Sequence, residues 1–245
     1  CYAILGSSTG EKFKKCYFVN AARNNLSMGT SADVSECVFM PNTDTAYPSV
    51  VLSTTSGGAK FTRNKIIGAA GVALQLGSNS IIRDNIMHDS VKNHILISGY
   101  SGINIIGNVL DTTGAGYSAI LMSSTSNNCH IGNNRITNSA TYGIECDATE
   151  QSTKEDYNYF QSNSSGNLLN IAAGANSVSG TDANCGFADP NYATSHDFRL
   201  AANATGRRAE INLDIDLATP LNKFYPSMGL PPTDRTMVHA GMNAL

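Results

Sequence analysis

The sequence predicts an all-β solenoid, and three observations predict it. A short motif recurs seven times, apolar and polar residues alternate with period 2 inside each copy, and Gly/Asn clusters punctuate the gaps. The motif is an apolar residue, two variable residues, Asn or Cys, one variable residue, and a second apolar residue. It runs Phe13-Lys-Lys-Cys16-Tyr-Phe18, Val34-Ser-Glu-Cys37-Val-Phe39, Phe61-Thr-Arg-Asn64-Lys-Ile66 and Ile82-Arg-Asp-Asn85-Ile-Met87. It continues as Ile105-Ile-Gly-Asn108-Val-Leu110, Ile131-Gly-Asn-Asn134-Arg-Ile136 and a less regular Glu155-Asp-Tyr-Asn158-Tyr-Phe160. Successive Asn/Cys positions lie 21, 27, 21, 23, 26 and 24 residues apart.

A second apolar strand opens each period, at Leu26/Met28, Val72/Leu74, Ile95/Ile97 and Ile144/Cys146. Each period is therefore about three short strands and their turns, and no segment carries an amphipathic helix of ten or more residues. One coil cannot bury its apolar face alone, so successive coils stack and share one core. Seven to eight coils at roughly 4.8 Å per coil predict a rod of roughly 34 Å. The coils are expected to occupy 1–171, a terminal coil and cap 172–205, and an extended Pro-containing tail 206–245. Within that tail Ile211-Asn-Leu213-Asp-Ile215-Asp-Leu217 alternates as a strand with one apolar face would.

The recurrent Asn has a physical role in such a stack. An inward Asn tolerates left-handed backbone at a sharp turn and can bond its neighbours above and below through both ends of its amide. Cys16, Cys37, Asn64, Asn85, Asn108, Asn134 and Asn158 are thus expected to form one structural ladder, the two cysteines as stacked reduced thiols. The six cysteines lie too far apart for a zinc pattern and read as buried small hydrophobes.

Composition excludes several function classes. Of 245 residues only 14% are charged and 41% are hydrophobic, which fits neither a coiled coil nor a disordered chain. A net charge of −3 offers no footprint for nucleic acid, and no apolar run approaches the length of a membrane span. Neither kind of partner is expected.

The Asn-x-apolar repeat over about residues 3–171 resembles the right-handed parallel β-helix proteins of the pectate-lyase-like superfamily. Asp189-Pro190 followed by Asp197-Phe198-Arg199-Leu200 is similar to the segment that closes many such helices. The resemblance implies a right-handed parallel β-helix. It leaves function open, since the superfamily holds lyases, hydrolases, epimerases, phage tailspikes and non-catalytic adhesins.

A lyase of this kind works on the outer face of the opening strands with a basic residue and a bound cation. The outward positions expected there are Ser27, Ala73, Gln75, Leu96, Ser98, Glu145 and Asp147, none of them basic. No Asp-Asp pair or Gly-His-Gly marks a hydrolase. Tyr142-Gly143 lacks the Asp-Pro-His that follows in epimerases. No cofactor and no metal site is expected. One charged cluster, Arg83, Asp84, His88, Asp89, Lys92 and His94, has Asp111 one coil on. His88, Asp89 and Asp111 are the candidate acid–base set, the alternative being a solvated turn face.

Ile81, Ile86, Ile106 and Val109 are expected to form an exposed apolar contact patch, covered by the tail or by an identical subunit. Two function classes stand. One is a non-catalytic or glycan-binding surface rod such as a phage tailspike, virion-associated or adhesin-type segment. The other is a secreted polysaccharide-degrading enzyme (lyase, hydrolase or epimerase) with its site partly in a segment before Cys1. Both imply a polysaccharide or cell-surface glycan as partner and an extracellular or virion-surface location. The tailspike resemblance implies a homotrimer.

Overall fold

The computed structural model describes residues 4–5, 10–19, 21–29, 31–52, 58–123, 126–150, 152–189 and 197–200. Three parallel sheets run the length of a right-handed β-solenoid. The first has eight strands, from Ile4–Leu5 through Leu74–Leu76, Ile95–Ser98 and Tyr142–Glu150 to Gly166–Ile171. The second has seven, from Lys12–Lys14 to Lys154–Asp156, and the third has eight, from Tyr17–Phe18 to Val178–Ser179. Pairings within these sheets join each coil to the next, in register as in Ile81↔Asn104 and Ile86↔Val109, with a shift only between Tyr142–Glu150 and Gly166–Ile171.

The rod has about six turns, slightly fewer than the seven to eight coils expected. The seven strands of the second sheet bound six intervals, so that sheet runs roughly 29 Å along the rod. Among the described residues the one helical element is a single 3₁₀ turn at Ala183–Gly186. It leads into Phe187–Asp189, which pairs antiparallel with Asp197–Leu200, the segment similar to the closure of related helices. The tail 206–245, with its alternating Ile211–Leu217 stretch, lies outside the described residues.

The inward row of the second sheet, Val34, Phe61, Ile82, Ile105 and Ile131, is completely buried. On the third sheet Phe18 stacks on Phe39 at 4.6 Å between ring centroids, and Phe39 meets Phe61 at 5.8 Å. The row ends in a polar closure. Glu155 replaces the aliphatic residue in the last coil, is buried, and accepts hydrogen bonds from Asn158 Nδ2 at 2.7 Å and the Gly174 amide at 2.7 Å. An open apolar end would invite another coil; a satisfied carboxylate stops the stack.

The turn between the second and third sheets carries the ladder. Asn64, Asn85, Asn108 and Asn134 each donate their backbone amide to the Oδ1 of the next ladder Asn, at 2.8–3.0 Å. The left-handed residue is not the Asn, as the sequence suggests, but the residue before it. Lys15, Glu36, Arg63, Asp84, Gly107, Asn133 and Tyr157 all have φ between 54° and 69°. This places the bend one residue early, so the Asn re-enters ordinary backbone with its side chain turned inward. The non-glycine residues there cost on the order of 1–2 kcal/mol each, offset by the buried amide bonds that follow.

The opening strand at residues 74–76 starts two positions later than expected, with Leu74 and Leu76 inward and Gln75 outward. Ala73 is consequently buried rather than outward.

Candidate functional site

Three outer surfaces present side chains in rows. On the first sheet the outward row runs Ser27, Val51, Gln75, Leu96, Leu121, Glu145 and Leu169, each directly paired with the next. Ser98 is half-buried and Asp147 exposed. This row holds no basic residue, and the Ser118 hydroxyl donates to the Glu145 carboxylate. Among the described residues no three His, Cys, Asp or Glu side chains cluster to hold a metal ion.

The second surface is the outer face of the third sheet. Here His88 and Asp111 are direct partners in adjacent strands, three residues past their ladder Asn. His88 Nδ1 lies 3.0 Å from Asp111 Oδ2, which also accepts from Thr112 Oγ1 at 3.2 Å. Asp111 Oδ1 accepts from Thr137 Oγ1 at 2.5 Å and Asn138 Nδ2 at 2.8 Å. Burial works to raise the Asp111 pKa, but the bonds from His88, Thr137 and Asn138 outweigh it and hold the carboxyl below its ordinary value. Thr137 occupies the same offset from Asn134 that His88 and Asp111 occupy from Asn85 and Asn108. That register was available in the sequence as the signal for it.

Asp89 does not join this pair. It has left-handed backbone (φ 56°) and is exposed, while its coil equivalent Thr112 has φ 62°. The in-register partner of Asp111 is His88, because equal offsets from the ladder, not neighbouring ones, stack. Arg83 and Asp84 form their own ion pair at 3.2 Å before the ladder turn. Lys92 is half-buried in the turn after the third-sheet strand. His94 is completely buried, with Nδ1 3.0 Å from Ser90 Oγ and Nε2 without a well-formed hydrogen bond. Burial brings its pKa down to about 3.

The segment after the last coil folds over part of this face. Arg135 is buried with its guanidinium 3.6 Å from the Tyr159 ring centroid, and its Nε donates to the Cys185 carbonyl at 2.7 Å. Its Nη2 lies 3.5 Å from Asp182 Oδ2, and Tyr159 Oη donates to that carboxylate at 2.9 Å. The Cys185 thiol reaches Asn138 Oδ1 at 3.6 Å, next to the Asp111 cluster, and burial raises its pKa. Nothing in the sequence pairs residue 135 with residue 185; the contact spans 50 residues, about two coils.

The proposed contact patch does not exist as one surface. Ile86 and Val109 are each only 3% exposed, on the third sheet. Ile81 (36% exposed) and Ile106 lie across the ladder turn on the second sheet, in different rows: Ile81 pairs with Asn104 and Ile106 with Arg83. The ladder bend separates residues before it from residues after it, which simple alternation cannot register.

The third surface is the outer face of the second sheet. One row is Lys12, Asp33, Lys60, Ile81, Asn104, His130 and Lys154; the other is Lys14, Ser35, Thr62, Arg83, Ile106, Gly132 and Asp156. Glu36 gathers Lys14 at 3.5 Å, Lys15 at 3.9 Å and Arg63 at 2.7 Å.

A parallel solenoid with an Asn ladder, in-register coils and a capping segment defines a β-helix rod. The chain belongs to the right-handed β-helix region family, whose model matches residues 48–188. Among solved structures it is similar to full-length QnrB1, a plasmid-mediated fluoroquinolone resistance protein. That match has 10% identity and a TM-score of 0.19, over 74% of this chain and 94% of that one. A trypsin-treated variant of QnrB1 matches at 12% identity and a TM-score of 0.15, over 70% and 93%. Neither likeness bears on what this chain does. No curated protein matches it.

Proposed function

We propose that this chain is a non-catalytic surface rod that binds an extended anionic glycan along the outer face of its second sheet. The observation that carries the reading is the charge distribution. Lys12, Lys14, Lys15, Lys60, Arg63, Arg83 and Lys154 lie on that sheet or its following turn, against Glu11, Asp33, Glu36, Asp84 and Asp156. The face is therefore net positive on a chain whose formal net charge is −3. Lys12, Lys60, His130 and Lys154 are exposed in one row, successively two, three and one strands apart at about 4.8 Å per strand. Cationic and hydrogen-bonding groups repeated along one row suit a polymer that repeats carboxylate or sulfate groups along its length, through many modest contacts. The setting we assign is the outer surface of a cell or virion, where such glycans are displayed.

The alternative, a polysaccharide-degrading site at His88 and Asp111, is disfavoured by burial. Asp111 is 2% and His88 8% exposed, and both Asp111 oxygens accept internal hydrogen bonds. A general acid or base has to reach the proton it moves. The test is binding of the full chain to immobilised uronate-rich and sulfated oligosaccharides. The double variant Lys60→Glu, Lys154→Glu is expected to weaken binding at least tenfold, and added salt to weaken that of the parent. Unchanged binding in the variant, or release of shortened products, overturns the reading.

A further inference from the structure

The ladder changes chemistry in its first two coils. From Asn64 to Asn134, each coil is tied to the next by a backbone amide and a side-chain amide converging on one Asn oxygen. Between the first two coils these are replaced by two thiols. The Cys16 amide donates to Cys37 Sγ at 3.4 Å, while the Cys37 thiol donates to the Ser35 carbonyl at 3.2 Å and the Cys16 thiol to the Lys14 carbonyl at 3.5 Å. Flanking pairs Phe13↔Val34 and Tyr17↔Val38 are in register, so residues 16 and 37 sit one coil apart, at a spacing of about 4.8 Å. That spacing falls inside the Cα range of about 4.4–6.8 Å that a disulfide needs. Cys37 is buried and Cys16 only half-buried, so one sulfur of the pair is accessible and its partner is protected.

We propose that Cys16 and Cys37 are a reversible redox-modification site, closed to a cross-coil disulfide by small-molecule disulfides of the glutathione class. The Cys16 thiolate attacks one sulfur of the oxidant, forming a mixed disulfide and expelling one thiolate. Cys37 gives its proton to the expelled thiolate or to solvent and attacks Cys16 Sγ, releasing the second small thiol. Two protein thiols are oxidised and one external disulfide is reduced to two thiols. The adjacent Cys37 side chain brings the Cys16 pKa down to about 7, whereas its pairing with Cys16 and burial push Cys37 up. Capping Cys16 removes the first of those two causes and leaves burial as the cause opposing ionisation of Cys37. The bridge supplies, in covalent form, the inter-coil link that amide pairs supply further along.

The test uses the full chain, reduced and then equilibrated across reduced-to-oxidised glutathione ratios, with peptide mapping by mass. The expected product is a Cys16–Cys37 bridge lacking two hydrogens, reversed by dithiol reductant, with the buried Cys129, Cys146 and Cys185 still reduced. Alkylation at Cys16 is expected to rise through pH 7 in the parent and at higher pH in Cys37→Ala. If that variant fails to fold, the map of the unaltered chain decides. A stable glutathione adduct on Cys16, a bridge to Cys1, an intermolecular dimer, or no oxidation overturns the proposal.

Discussion

A single oxygen, Oδ1 of Asn134, accepts both the backbone amide of Asn108 at 2.9 Å and its side-chain Nδ2 at 3.0 Å. Asn108 Oδ1 receives the same two donors from Asn85, at 3.0 and 2.9 Å. Each rung is thus held from one side and holds the other, wholly inside the rod.

Asn108→Leu removes an acceptor from two buried donors of Asn85 and leaves neighbouring carbonyls, such as that of Ile82, without a donor. Each orphaned group costs about 1–3 kcal/mol, so a loss of roughly 3 kcal/mol is expected in urea unfolding. Asn104→Thr, half-buried on the outer face, should change stability by under about 0.5 kcal/mol. Similar effects at both positions would count against the ladder as the source of inter-coil stability.

The acid side of the stability curve should separate His94 from Asp111. The folded pKa of His94 is depressed to about 3 from an ordinary 6.5, so between those values the unfolded chain binds the extra proton. Stability should fall as pH drops from about 6.5 toward 3. Asp111, held below 3.8, contributes stability that is present above pH 4 and lost only further down. His94→Asn is therefore expected to flatten the curve between pH 6.5 and 4, and Asp111→Asn to leave that slope intact while lowering the curve above about pH 4. Urea titrations at stepped pH read both.

Arg135 links the coils to the segment at 182–185 through the Cys185 carbonyl and the Asp182 carboxylate. Arg135→Met keeps much of the apolar bulk and removes both contacts. It leaves the Asp182 carboxylate without its cation. Limited proteolysis within 182–189 should accelerate by at least tenfold, corresponding to local opening eased by about 1.4 kcal/mol. Cleavage first elsewhere in the rod would show that the segment is held by other contacts.

The fold was readable because it is periodic: apolar positions every second residue, Asn or Cys at 21–27 residue steps, and punctuation between. Fixed offsets from the ladder then stack, which brings His88, Asp111 and Thr137 together although the sequence suggested Asp89. What periodicity does not encode is how sharply each turn redirects the chain. The left-handed residue before the ladder sends Ile81 and Ile106 to one sheet and Ile86 and Val109 to another. The cover at Arg135 depends on non-repeating contacts to Asp182 and Cys185, which have no pattern to read.

The most direct test of the rod as a glycan-binding surface is affinity against oligosaccharide length, measured by calorimetry with a graded series of one uronate polymer. Successive contacts along Lys12, Lys60, His130 and Lys154 predict affinity that climbs with chain length until the polymer spans the roughly 29 Å row, then levels. The Lys60→Glu, Lys154→Glu variant should lose that climb, and the recovered oligosaccharides should be unshortened. Affinity independent of length, or equal in parent and variant, would contradict the account.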